Sequence, residues 1–158
     1  PYPAKRRIGD TLSLPGASRE FPGNPEPLRQ FMTAPNLQVH DVRPFVGSKD
    51  FDASRDFYVS LGWKVTYDSA DLRVLELADH RFYLQKYYNR QWCDNTMLHI
   101  SVVDVDAWYE FAKRQFADNS FGGNARLSDA VKDEGYARVF HAWDPAGVLL
   151  HFAEFSAE

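Results

Sequence analysis

Few residues in this chain are spaced for covalent chemistry. Its single cysteine, Cys93, lies in Gln91-Trp92-Cys93-Asp94, where no neighbouring base could take the thiol proton, so it reads as structural. No Ser-His-Asp constellation, phosphate-cradling glycine loop or pair of catalytic carboxylates emerges from the spacing. The spacing offers binding chemistry instead. Side chains alternate along strands, so one face of residues 37–46 carries Asp41, Arg43 and Phe45, with Val42, Pro44 and Val46 on the other. In the same way residues 81–87 present Tyr83, Gln85 and Tyr87, residues 97–103 present Met97, His99 and Ser101, and residues 148–155 present Leu149 and His151. Flat apolar groups with a few polar tips are the usual lining of a site for an organic ligand.

Each of these residues also has a plainer reading. Asp41 and Arg43 can simply pair with each other, His99 and His151 can be satisfied core histidines, and Tyr83 and Tyr87 can be packing. His40, His80 and His141 fall outside the favoured face and receive no role.

The elements that position these residues belong to a chain of 158 residues, enough for one domain with a proper core. Hydrophobic residues make up 44% and charged residues 25%, a globular rather than a disordered profile. A net charge of −4 without a long basic run argues against a nucleic-acid partner; Lys5-Arg6-Arg7 reads as solvated charge. No apolar run approaches the roughly 18 residues of a membrane span, and the N-terminus lacks the apolar core of a signal peptide. One cysteine excludes an internal disulfide and fits a reducing compartment, so a cytoplasmic location is expected.

Residues 1–36 hold seven of the nine prolines and read as an extension, with one short helix expected over 25–32. Beyond it the order strand, helix, three strands occurs twice, over 37–92 and 96–155. The two helices open on nearly the same phrase, Asp50-Phe51-Asp52-Ala53 and Asp104-Val105-Asp106-Ala107. In each, an aspartate is expected to cap orphan amides, and Gly62 to stop the first helix. Strands are expected over 63–67, 72–77, 81–87, 97–103, 139–143 and 148–155, with weaker strand text over 125–131. One such unit leaves a sheet face uncovered that a second can close.

This arrangement resembles the vicinal oxygen chelate superfamily of glyoxalases, extradiol dioxygenases and bleomycin resistance proteins. The carrying pieces are Phe57-Tyr58-x-x-Leu61-Gly62-Trp63-x-Val65 and Asp144-Pro145-Ala146-Gly147-Val148-Leu149-Leu150-His151-Phe152. The second resembles the closing strand of bleomycin resistance proteins, including a histidine where metal-dependent members carry glutamate. The resemblance covers about 37–155 and implies an α+β fold of two βαβββ modules forming a cupped mixed sheet. Tyr136, which resembles an aromatic of drug-binding relatives, and Trp143 are weaker pocket candidates.

In metal-using relatives, the first and last strand of each half supply the ligands. Carried over by counting, those positions are Asp41, Gln85, Met97 and His151. Gln and Met grip hard or borderline divalent ions poorly. A two-residue shift in the fifth strand would substitute His99 for Met97, giving Asp41, His99 and His151, a respectable set. The reading adopted is a binder of a small organic molecule, aromatic or cationic and antibiotic-like, with no metal and no cofactor. The acidic balance favours a cationic ligand modestly. Resemblance implies a homodimer. A metal-dependent lyase, isomerase or dioxygenase and a non-catalytic interaction module are the alternatives.

Overall fold

The structure is a computed structural model and describes residues 37–156. The short helix expected over 25–32 lies outside them.

Helix α1 (Phe51–Ser60) starts where Asp50 accepts the Ala53 amide at 3.0 Å. Helix α3 (Val105–Asp118) starts the same way, Asp104 accepting from Ala107 at 2.8 Å. Each cap satisfies an amide that has no partner inside its helix. The second aspartate of each phrase does something else. Asp52 accepts from Arg73 at 2.8 Å, and Asp106 accepts from Arg138 through both oxygens at 2.7 Å. Both arginines are the second residue of corresponding strands, β3 (Leu72–Leu77) and β8 (Ala137–Trp143). The repeated phrase therefore caps a helix and ties it to its own sheet. Gly62, at φ +97°, ends the α1 segment in the left-handed region while Trp63 donates back to the Tyr58 carbonyl at 3.0 Å.

The first sheet has the order β1-β4-β3-β2, with β1 (Phe45–Gly47) parallel to β4 (His80–Gln85) and β2 (Lys64–Asp68) outermost. In the second the order is β5-β9-β8-β6. There β5 (Met97–Ser101) runs parallel to β9 (Leu149–Phe155), β6 (Arg126–Leu127) forms the far edge, and β7 (Lys132–Asp133) also pairs with β8. Two mixed sheets with their helices make the α+β class.

One core cluster joins the helix-bearing sides of both sheets. Phe57 of α1 meets Phe116 and Phe121 edge-on at 5.9 and 5.2 Å, and Phe140 of β8 stacks on Phe152 of β9 at 4.5 Å. Phe57, Phe140 and Phe152 are fully buried, and each contributes roughly 1.5–3 kcal/mol through its removal from water. From Val39 onward the described residues form one compact unit. Because the helix sides share the core, the opposite face of each sheet is left outside it.

Three local expectations need correction. Residues 37–44 form no strand; β1 is only three residues long. Pro44 has no N–H to offer, and its carbonyl accepts from Tyr83 at 2.9 Å as the last link to β4, while Val42 is 86% exposed. An unexpected helix, α2 (Arg90–Asn95), is capped by Asn89, which accepts from the Trp92 amide at 3.0 Å. It packs Cys93 against Gly47, where a Cβ would stand 3.0 Å from the sulfur. Finally, β4 stops at Gln85. Tyr87 leaves the alternation, sends its ring toward Trp92 at 5.8 Å, and offers its carbonyl to Ser48.

Candidate functional site

On the outer face of the first sheet, Phe45 stacks on Tyr83 at 4.8 Å, their strands being in register. Arg43 donates to the Tyr83 hydroxyl at 3.5 Å and pairs with Asp41 at 2.5 Å, which also stands 4.0 Å from Arg81. That carboxylate beside Arg43 raises the guanidinium above its ordinary value. Gln85 lies on the same face, opposite Leu72. Here the plainer reading of Asp41 and Arg43 is met: each is the other's partner.

A cleft of about 670 Å³ opens between the turn into β4 and the edge of β5. Asp41, His99 and Ser101 reach it, together with His40 and His80, for which no role was expected, and the apolar side is Trp63, Leu77 and Phe82. A smaller recess of about 380 Å³ joins Arg43 and Tyr83 to His40 and Asp41.

The outer face of the second sheet is the most organised. Register places His99, His151 and His141 side by side on β5, β9 and β8. The His141 Nε2 and His151 Nδ1 atoms share a hydrogen bond of 2.9 Å, and the Tyr136 hydroxyl meets His151 Nε2 at 3.4 Å. His99 stacks over His151 at 5.1 Å and bonds Ser101 at 3.2 Å. Burial holds both His141 and His151 below the ordinary imidazole value; for His151 the neighbouring His141 and His99 add to this.

The flat groups continue in both directions. Past His141 come Trp143 at 5.8 Å and then Arg126, whose guanidinium lies 3.9 Å over the Trp143 ring. Past His99 come Phe155 at 5.7 Å and Tyr136, 6.3 Å from Phe155. Met97 and Leu149 sit in register one step along, on the same face. Met97, Tyr136 and Phe155 are 57%, 56% and 51% exposed, so the belt faces outward.

Sequence reading missed Arg126 and His141. The signal for His141 was available: alternation from the closing turn puts residues 141 and 143 on one face of β8, and His141 opposite His151. Arg126 sits in a two-residue strand too short to show a period.

No family model and no curated protein matches the sequence. Solved structures do. The bleomycin resistance determinant encoded on the transposon Tn5 superposes with TM-score 0.63 at 20% identity, over 75% of this chain and 100% of that one. The bleomycin-binding protein of Streptomyces verticillus, in complex with copper(II)-bleomycin, gives 0.61 at 23% identity, over 76% and 99%. A glyoxalase/bleomycin resistance protein/dioxygenase from Nocardioides gives 0.56 at 13%, over 76% and 86%. This chain has the bleomycin resistance fold.

The metal that some proteins of the bleomycin resistance fold use finds no suitable cage here. Asp41 is committed to Arg43, while both ring nitrogens of His151 are engaged with His141 and Tyr136. Gln85 and Met97 remain poor donors. Among the described residues, no group of three histidines, cysteines or carboxylates is arranged to hold an ion, and no helix is long and apolar enough to cross a membrane.

Proposed function

We propose that the protein binds and sequesters a small aromatic organic molecule, antibiotic-like in size, without transforming it. The observation that carries this is the continuous run of flat side chains, Trp143, His141, His151, His99 and Phe155, along the outer face of the second sheet, with His99 and Phe155 exposed, Trp143 and His141 half-buried and His151 buried. Stacked or edge-on rings in such a run are worth about 0.5–1.5 kcal/mol per pair beyond area burial, and a flat ligand gains the same terms. Solved structures of the same fold include proteins described as bleomycin-binding, which supports the reading. The site residues are those of this face, with Met97, Leu149 and Ser101 at its margins. A homodimer completes it, the first-sheet face of a second copy, with Phe45, Tyr83 and Gln85, closing over the belt.

Thermal-shift screening of the full chain against aromatic, cationic and peptide compounds, bleomycin included, tests the reading. At least one aromatic ligand should raise the midpoint by mass action, and mass spectrometry should recover it unchanged. No hit in any class would leave a non-catalytic interaction module, and a converted ligand would make the protein an enzyme. Light scattering should give twice the chain mass.

A further inference from the structure

The belt of flat groups is not electrically neutral. At one end Arg126 lies with its guanidinium 3.9 Å above the Trp143 ring, paired in register with that residue across β6 and β8. Stacking uses the flat face of a guanidinium and leaves its N–H edge free. Among the described residues, no carboxylate, hydroxyl or carbonyl takes any of those donors. An exposed cation laid flat on an indole, with its fork unspent, has the geometry that receives a carboxylate in bidentate fashion.

A second cation faces the same strand, four register positions from the Arg126–Trp143 pair. Lys132 of β7 is opposite Val139, which shares the face of His141 and Trp143, and it makes no ion pair among the described residues. The charge of Lys132 is felt at His141, as is that of Glu134, whose carboxylate also acts on His151. Other carboxylates of these strands are spent elsewhere. Glu154 accepts the Val105 amide at 2.9 Å, and Asp133 accepts from the Gly135 amide at 2.8 Å. Glu134 is exposed and its carboxylate acts on the histidines, so the face is of mixed charge, and what sets the Trp143 end apart is the unspent fork of Arg126 lying on the aromatic run.

We propose that the ligand of this face is an aromatic anion, its carboxylate or equivalent acidic group held by Arg126 and its ring laid along Trp143 and His141. This rests on the binding reading above and narrows its ligand class. It also reverses the preference that overall charge suggests, because a local fork at contact distance outweighs a diffuse field screened within about 8–10 Å.

The test is calorimetric titration of the full chain, at neutral pH and low salt, with three naphthalenes of one shape: 2-naphthoate, neutral 2-naphthylmethanol and 2-naphthylmethylammonium. A charge-assisted contact of this kind should make naphthoate bind about tenfold more tightly than the ammonium compound. That preference should shrink as salt is raised. In Arg126→Gln the preference for naphthoate over the alcohol should vanish; Arg126→Glu should favour the ammonium compound. Both substitutions are at an exposed strand position, and a thermal melt establishes that the variants are folded. Equal or tighter binding of the ammonium compound by the natural chain overturns the inference while leaving aromatic binding intact. Unchanged naphthoate affinity in Arg126→Gln does the same. If none of the three binds, the inference falls, and the broader reading falls with it only if the compound screen is also empty.

Discussion

Tyr58 of α1 donates its hydroxyl to Asp144 in the closing turn of the second module, 3.1 Å away and wholly buried. The same carboxylate accepts the Ala146 and Val148 amides at 2.8 and 2.9 Å, so it shapes the turn as well as joining the modules. Burial drives the Tyr58 hydroxyl far above its ordinary pKa, and the neighbouring Asp144 charge adds to this, so the tyrosine stays a donor throughout the accessible range. Removing that donor in Tyr58→Phe should cost about 1–3 kcal/mol in urea denaturation, since the ring still packs but a buried carboxylate loses a partner. An unchanged midpoint would mean the bond contributes nothing to joining the halves.

Asp144 itself predicts a pH dependence. Desolvation raises its carboxyl from 3.8 to about 6, against the opposing pull of the Val148 amide and the Tyr58 hydroxyl. A folded-state value above the unfolded one gives stability that is complete below the unfolded value and lost as pH rises through the folded one. The window is therefore pH 4 to 6, and the size is on the order of 3 kcal/mol. Asp52 and Asp106, held low by hydrogen bonds from Arg73 and Arg138, act in the opposite sense and lose their contribution as pH falls. Comparison with Asp144→Asn cancels those terms. The advantage of the natural chain over the variant should shrink between pH 4 and pH 7, and a constant difference would contradict this account.

The two Asp–Arg ties should differ in weight despite their common origin. Arg73 is 7% exposed, lies 3.9 Å over the Phe51 ring, and donates to the Phe51 carbonyl and Asp68 as well as Asp52. Arg73→Ala should cost roughly 2–3 kcal/mol through lost packing and an orphaned carbonyl. Arg138 is exposed and, among the described residues, pairs with Asp106 alone, a surface pair screened by solvent. Its alanine variant should shift the denaturation midpoint several-fold less.

Much of this was legible in the residues. Asp50 and Asp104 announce helix starts because a cap is a local device, written within three residues of its acceptor. The faces of β5 and β9 follow from alternation, so His99 and His151 are neighbours on paper as they are in space. What failed was non-local. Nothing in residues 37–44 records that Pro44 is the last to reach β4, and nothing in Arg126 alone records its neighbour on β8, whereas alternation from the closing turn was enough to set His141 opposite His151. The roles of Asp52 and Asp106 were hidden for the same reason, since Arg73 and Arg138 lie far along the chain.

Gly47 is where β1 passes under α2. A Cβ there would stand 2.8 Å from the Tyr87 carbonyl oxygen and 3.0 Å from the Cys93 sulfur. Backbone on one side and the buried Cys93 sulfur on the other leave little room to yield. Gly47→Ala should destabilise by about 1–3 kcal/mol, the usual cost of overpacking. Cys93 should at the same time become accessible to a thiol reagent in the folded protein. A stable variant with a silent thiol would show that the approach is looser than described.

Ser54 gives a test in the opposite direction. Its side chain is fully buried on the inner face of α1, and its hydroxyl has no hydrogen-bond partner among the described residues. Removing a polar group from water without a partner costs about 1–3 kcal/mol by mutational measures. Serine is also a poorer helix former than alanine. Both terms favour replacement, and the lost oxygen leaves a space smaller than a methyl group needs to fill. Ser54→Ala should therefore raise the thermal midpoint by a few degrees with ligand binding unchanged, since the residue faces the core and not the belt. A fall in the midpoint would show that the hydroxyl has a partner it cannot do without.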